Sequence, residues 1–118
     1  MLLVKKYTGK SLSEYNFNHR NYLIYNRLQI VKYNPSPKNY FELGVAYAKS
    51  DTYGGKEAYK KAIALDSDFT DAYTNLAYIC CLRGEWDEAI IYSKKALKLN
   101  PCNNFALGSL NLALRSKK

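Results

Sequence analysis

A chain of 118 residues with 47% apolar content and a formal charge of +8 is long enough for one hydrophobic core and too short for two, so any function sits on a single scaffold. Its one histidine, His19, lies far along the chain from Cys80, Cys81 and Cys102, and there is no CxxC, Gly-rich phosphate loop or cluster of acids; no catalytic group, cofactor, metal site or disulfide framework is expected. The apolar start Met1 to Val4 meets Lys5 and Lys6 at once, far short of a signal peptide or a membrane span, which makes the cytoplasm the expected compartment.

Residues 1–36 read as an N-terminal helical segment. Ser11-x-x-Glu14 has the spacing of a capping box, and Tyr22, Leu23, Ile24, Leu28 and Val31 continue a helix that stops near Asn34-Pro35. Two arrangements fit. A degenerate hairpin broken around Asn18 to Asn21 fits better, and one long helix from Leu12 to Tyr33 is its rival.

From residue 37 the chain repeats itself. Tyr40, Leu43, Gly44 and Tyr47 fall on one face of a helix, and the same spacing returns 33 residues later as Tyr73, Leu76, Ala77 and Cys80. A further 34 residues on it recurs as Leu107, Leu110, Asn111 and Leu114. Each of the first two stripes is followed by a second helix, carrying Gly55, Tyr59, Ala62 and Ser67 in one copy and Ala89, Ser93, Ala96 and Pro101 in the other. The first copy has one residue fewer between its two helices, so its turn is expected to be built differently. In the second copy Gly84 breaks the chain, Asp87 and Glu88 open the next helix where negative charge suits the macrodipole, and Asn100-Pro101 ends it after Lys94, Lys95 and Lys98. Small residues at Gly44, Ala62, Ala77, Ala89 and Ala96 allow the two helices of a hairpin to approach closely, while the tyrosines, leucines and Trp86 fill the space between hairpins.

An aromatic followed by x2-Leu-Gly-x2-Tyr, as in Tyr40, Leu43, Gly44, Tyr47, and a small residue, Ala and Pro at the spacing of Ala89, Ala96 and Pro101, resemble the tetratricopeptide (TPR) repeat. The resemblance implies an all-α fold: a right-handed superhelical stack of antiparallel helix hairpins, with repeat units at 37–69 and 70–103 and a C-terminal capping helix and basic tail at 104–118. It also implies a concave groove lined by the first helix of each hairpin, here Lys38, Phe41, Val45 and Ala48, then Asp71, Thr74, Tyr78 and Cys81. Asn75 stands where the family commonly grips a ligand's backbone. A well-known subclass clamps acidic C-terminal tails with Lys, Asn and Arg; this chain offers Phe41, Val45, Asn75, Phe105 and Ser109 at the corresponding places, so that ligand class is not expected.

The groove predicted in this way is apolar and aromatic in its middle, which points to a protein or peptide partner, bound without catalysis, and to no small-molecule substrate or membrane. Nucleic acid is disfavoured although the charge is +8. Residues 1–36 carry Lys5, Lys6, Lys10, Arg20, Arg27 and Lys32 against Glu14, and the last fifteen residues carry Arg115, Lys117 and Lys118 with no acid, whereas the repeats between them balance to zero. Self-association through the ends of the stack is a further arrangement that the pattern allows.

Overall fold

The computed structural model describes residues 12–117, with the side chains of 19–117. The Ser11 cap, the apolar start and Lys5, Lys6 and Lys10 lie outside the described residues. Six helices follow one another, and no strand occurs among the described residues: α1 (Leu12–Tyr33), α2 (Pro37–Ala48), α3 (Thr52–Leu65), α4 (Thr70–Leu82), α5 (Trp86–Leu99) and α6 (Asn104–Ser116). Residues 12–33 form a single helix, so the break expected around Asn18 to Asn21 is absent. Nothing in that stretch is Gly or Pro, and asparagine inside a helix costs only a few tenths of a kcal/mol, too little to interrupt it.

The ends of the helices follow from their sequences. Asn34-Pro35 stops α1, and Ser36 then caps α2, its hydroxyl accepting from the Asn39 N–H at 3.1 Å with Pro37 in the first helical position. Asp51 caps α3 by accepting from the Gly54 N–H at 2.9 Å. Gly84 has φ +71°, and the Gly84 and Glu85 N–H groups return to Cys81 and Cys80 carbonyls at 3.1 and 2.8 Å, the paired bonds of a Schellman motif ending α4. Asn103 caps α6, accepting from the Ala106 N–H at 3.1 Å.

α2 with α3 and α4 with α5 form antiparallel hairpins; α3 lies on α4, α6 lies on both α4 and α5, and α1 covers α2. The stack measures 49 × 32 × 21 Å. Its core is built from small residues in close contact with a few large ones. Ala62, Ala72, Ala77, Ala89, Ala96 and Ala106 are fully buried, as is Leu76, and Tyr59 is nearly so. A methyl group on Gly44 would stand 2.5 Å from the Tyr59 ring, which is why this position carries no side chain.

α6, the helix expected to cap the stack, packs differently from its expected stripe. Leu107 and Leu114 are exposed and Leu110 half-buried, whereas Ala106, Ser109 and Ala113 are buried against the second hairpin. In α4 the stripe of Tyr73, Ala77 and Cys80 is buried within its own hairpin, while Ala72 and Ile79 are buried on its other side. α6 keeps only this second kind of contact, because no second helix of its own follows it among the described residues.

Candidate groove

The first helices of successive hairpins leave an open groove of about 800 Å³, walled by Phe41 of α2, by Thr70, Asp71, Thr74, Asn75 and Tyr78 of α4, and by Phe105 and Ser109 of α6. The α5–α6 turn completes it with Asn100, Cys102 and Asn103. A second cavity of about 540 Å³ shares Asn75 and Tyr78 and extends along Val45, Ala48 and Lys49 of α2 to Leu82. Phe41, Val45, Asp71, Thr74, Asn75 and Tyr78 thus lie along one continuous depression. Lys38, in the first turn of α2, is exposed and is not among the residues lining either cavity.

The lining side chains do different work. Tyr78 is 60% exposed and Phe105 83% exposed, two aromatic faces held open to solvent. Phe41 is half-buried, its ring 5.1 Å from that of Phe69 in a stacked pair and 5.5 Å from that of Tyr59, so it forms floor more than free anchor. The Thr74 hydroxyl donates to the Thr70 carbonyl at 2.9 Å and accepts from the Asn103 amide at 2.7 Å. Both of its roles are committed, and it ties the α5–α6 turn to α4. The Asn75 amide donates to the Tyr59 hydroxyl at 3.2 Å, which fixes the side chain and leaves its Oδ1 able to accept from a ligand's backbone. Burial pushes the Tyr59 hydroxyl's pKa up, against the Asn75 hydrogen bond, so it stays a neutral partner.

Cys81 departs from its expected place in the groove. It is buried beneath α6, with its thiol donating to the Ser109 carbonyl at 3.5 Å. Burial raises its pKa, and pushes that of neighbouring Cys80 up to about 12, leaving two inert thiols. Among the described residues no group of three or more His, Cys, Asp or Glu is gathered as a metal would need, and no helix is long and apolar enough to cross a membrane.

Two features escaped the sequence pattern. The amide-rich wall comes from the run Asn100 to Asn104, which reads in sequence only as a helix terminator. The second is Lys56, buried in α3 with its ammonium 3.0 Å from both Glu85 and Glu88 of the next hairpin. Burial opposes its charge, yet the two carboxylate hydrogen bonds prevail and hold its pKa above the usual lysine value. Lys56 is separated from both glutamates by about thirty residues, and no local spacing announces such a pair.

An array of antiparallel hairpins stacked side by side, followed by a further helix, with a groove along its first helices, is a helical-repeat solenoid. The sequence of residues 58–91 matches the tetratricopeptide repeat profile, a stretch running from the middle of α3 to the middle of α5. These residues therefore carry a match to one tetratricopeptide repeat, within a fold of stacked helix hairpins. Among solved structures it is similar to a MamA protein, with 29% identity and a TM-score of 0.78 over 83% of this chain, which spans 55% of that one. It is also similar to the Arabidopsis OM64 TPR domain (18% identity, TM-score 0.76, 87% of each chain). A third likeness is to the first TPR of Spaghetti (RPAP3) bound to the HSP90 peptide SRMEEVD (18% identity, TM-score 0.79, 98% of this chain and 90% of that one). No curated protein sequence matches it.

Proposed function

We propose that the chain is a non-catalytic interaction module that holds an extended or helical segment of a protein partner along the groove of α2, α4 and α6. The observation that carries this reading is the exposure of Tyr78 and Phe105 on either side of a wall of asparagine and threonine side chains. Aromatic faces supply apolar contact at low entropic cost, and amides satisfy the backbone of a bound segment. Among the described residues, Asp71 is the only charged one lining the main groove, which suits an apolar or amphipathic segment. The SRMEEVD peptide is bound by a structural neighbour; Phe41, Val45, Phe105 and Ser109 give this chain no cations at the places where the acidic-tail clamp has them.

A photo-reactive amino acid placed at Tyr78, Phe105 or Ile91, which is exposed on α5, tests the reading in lysate of the source cells. The two groove positions are expected to cross-link one discrete polypeptide, and position 91 is not. Equal labelling from all three, or labelling of RNA or DNA with a steep salt dependence, overturns it, and a cross-linked homodimer identifies the partner as a second copy.

A further inference from the structure

Two cations of the N-terminal segment, Arg20 and Arg27, lie along the stack. α1 lies along α2, and between them opens a cleft of about 330 Å³ lined by His19, Arg20, Leu23 and Arg27 of α1 and by Glu42, Val45, Ala46 and Lys49 of α2. Val45 and Lys49 also line the groove's second cavity. The cleft is therefore the α1 end of the same depression.

Unpaired cations are common among the described residues, and what sets Arg20, Arg27 and Lys49 apart is that they converge on one cleft. Lys56, Lys60, Arg83 and Lys117 all sit within 4.0 Å of a carboxylate. Arg20, Arg27 and Lys49 form no ion pair among the described residues, although Glu42 shares the cleft. Lys49 stands at the C-cap of α2, where a cation complements the macrodipole. That role does not explain Arg20 or Arg27, which lie inside α1. Arg27 is half-buried, and a guanidinium that has lost part of its water without gaining a carboxylate favours an incoming anion. The apolar side chains of Leu23, Val45 and Ala46 line the cleft beside these cations and lower the local dielectric around them.

We propose that this cleft is an anion subsite of the groove, and that it takes aspartate or glutamate carboxylates of the same polypeptide segment whose apolar side chains seat on Tyr78 and Phe105. The inference rests on the groove reading and adds polarity to it. The ligand carries its acids at the α1 end and its apolar anchors at the α4–α6 end, so it lies in one direction only.

The test is a selection of random twelve-residue peptides on the full chain, followed by titration of the selected peptides, fluorescein-labelled. Peptides that require Tyr78 are expected to carry acidic residues clustered at one end. Arg27→Gln with Lys49→Gln should weaken them about fivefold, the sum of two partly exposed charge contacts. Lys94→Gln with Lys98→Gln, an equal loss of charge on α5, should change affinity less than about twofold. A peptide with its acids replaced by lysine should bind Arg27→Glu/Lys49→Glu better than it binds the native chain. Tyr78-dependent peptides without clustered acids, or equal losses in the two glutamine pairs, overturn the subsite and leave the groove standing. Selection of no Tyr78-dependent peptide overturns both.

Discussion

The two hairpins solve one packing problem with opposite distributions of volume. In the α2–α3 hairpin the facing residues are Gly44 and Tyr59, with no room for even a methyl group between them. At the same repeat positions of α4–α5 stand Ala77 and Ser93, both fully buried, the serine hydroxyl donating to the Ala89 carbonyl at 2.6 Å. The absent side chain at Gly44 makes room for the Tyr59 ring, because a close-packed interior has no space for both. The large ring in the first hairpin also reaches the groove, where its hydroxyl holds Asn75 and its edge supports Phe41. The serine of the second hairpin makes only local bonds.

The sharpest way to break this comparison is to exchange the pairs. Tyr59→Ser should cost about 3–5 kcal/mol, as expected for removing a buried aromatic, and should weaken ligand binding as well by freeing Asn75 and Phe41. Gly44→Ala should cost about 1–3 kcal/mol through the forced displacement of the Tyr59 ring. Gly44→Ala/Tyr59→Ser, which copies the second hairpin into the first, should be more stable than the sum of the single costs by about 1 kcal/mol or more. Urea unfolding of the four proteins measures all three values. Additive costs would mean that Gly44 and Tyr59 do not share one volume.

The repeat, its small-residue positions and its helix-ending signals were legible in the sequence because each is a matter of spacing within about ten residues. Gly44, Gly84, Ala89 and Asn100-Pro101 sit where the helical period requires a close contact or a stop. The groove residues were legible only through the resemblance to the family, and unevenly. Tyr78 and Asn75 line it, whereas Cys81 is buried under α6 and Lys38 stands aside. What could not be read was whatever one hairpin does to another: the burial of Lys56 beside Glu85 and Glu88, the delivery of Arg20 and Arg27 to the groove by an unbroken α1, and the choice of Ala106, Ser109 and Ala113 as the buried face of α6. These depend on angles and distances between elements, which no single helical period encodes.

The turns within the hairpins differ as well, and here the expected effects are smaller. Both turns have three residues, the missing residue of the first copy being taken from the helix before it; the second hairpin reverses through Gly84 in the left-handed region, the first through Lys49, Ser50 and Asp51 with no positive φ. Gly84→Ala should cost about 1–2 kcal/mol, from the backbone strain of a Cβ at φ +71°, although nothing crowds the position. Asp51→Ala should cost about 1 kcal/mol by removing the cap of α3, and Ser50→Ala less than about 0.5 kcal/mol. Thermal melts of the three variants rank them. A Gly84→Ala protein as stable as the parent would show that the turn without a positive φ and the glycine turn are interchangeable.

A further small effect concerns the link between the hairpins and is best read through pH. The Lys56 hydrogen bond, aided by Arg83, outweighs burial and lowers the pKa of Glu85 below the ordinary value of 4.5. A carboxylate depressed by folding adds stability above its unfolded value and loses it as pH falls through the folded one, because the unfolded chain then binds the proton more tightly. Part of the native stability should therefore disappear as pH drops from about 5 toward 3. Lys56 works the other way, since its folded pKa is raised: its contribution is complete below the ordinary lysine value of 10.5 and fades as pH climbs beyond it. Solvent reaches Glu85 and Glu88, so the ion pairs together should contribute only about 1 kcal/mol or less. Lys56→Met keeps the buried methylene stem while removing the charge. Measured by urea midpoints between pH 3 and pH 7, it should flatten the acid limb relative to the native chain and leave the stability of the two proteins closest at the acid end. Parallel acid limbs would show that Lys56 does not set the protonation of Glu85, and that the hairpins are joined by apolar contact alone.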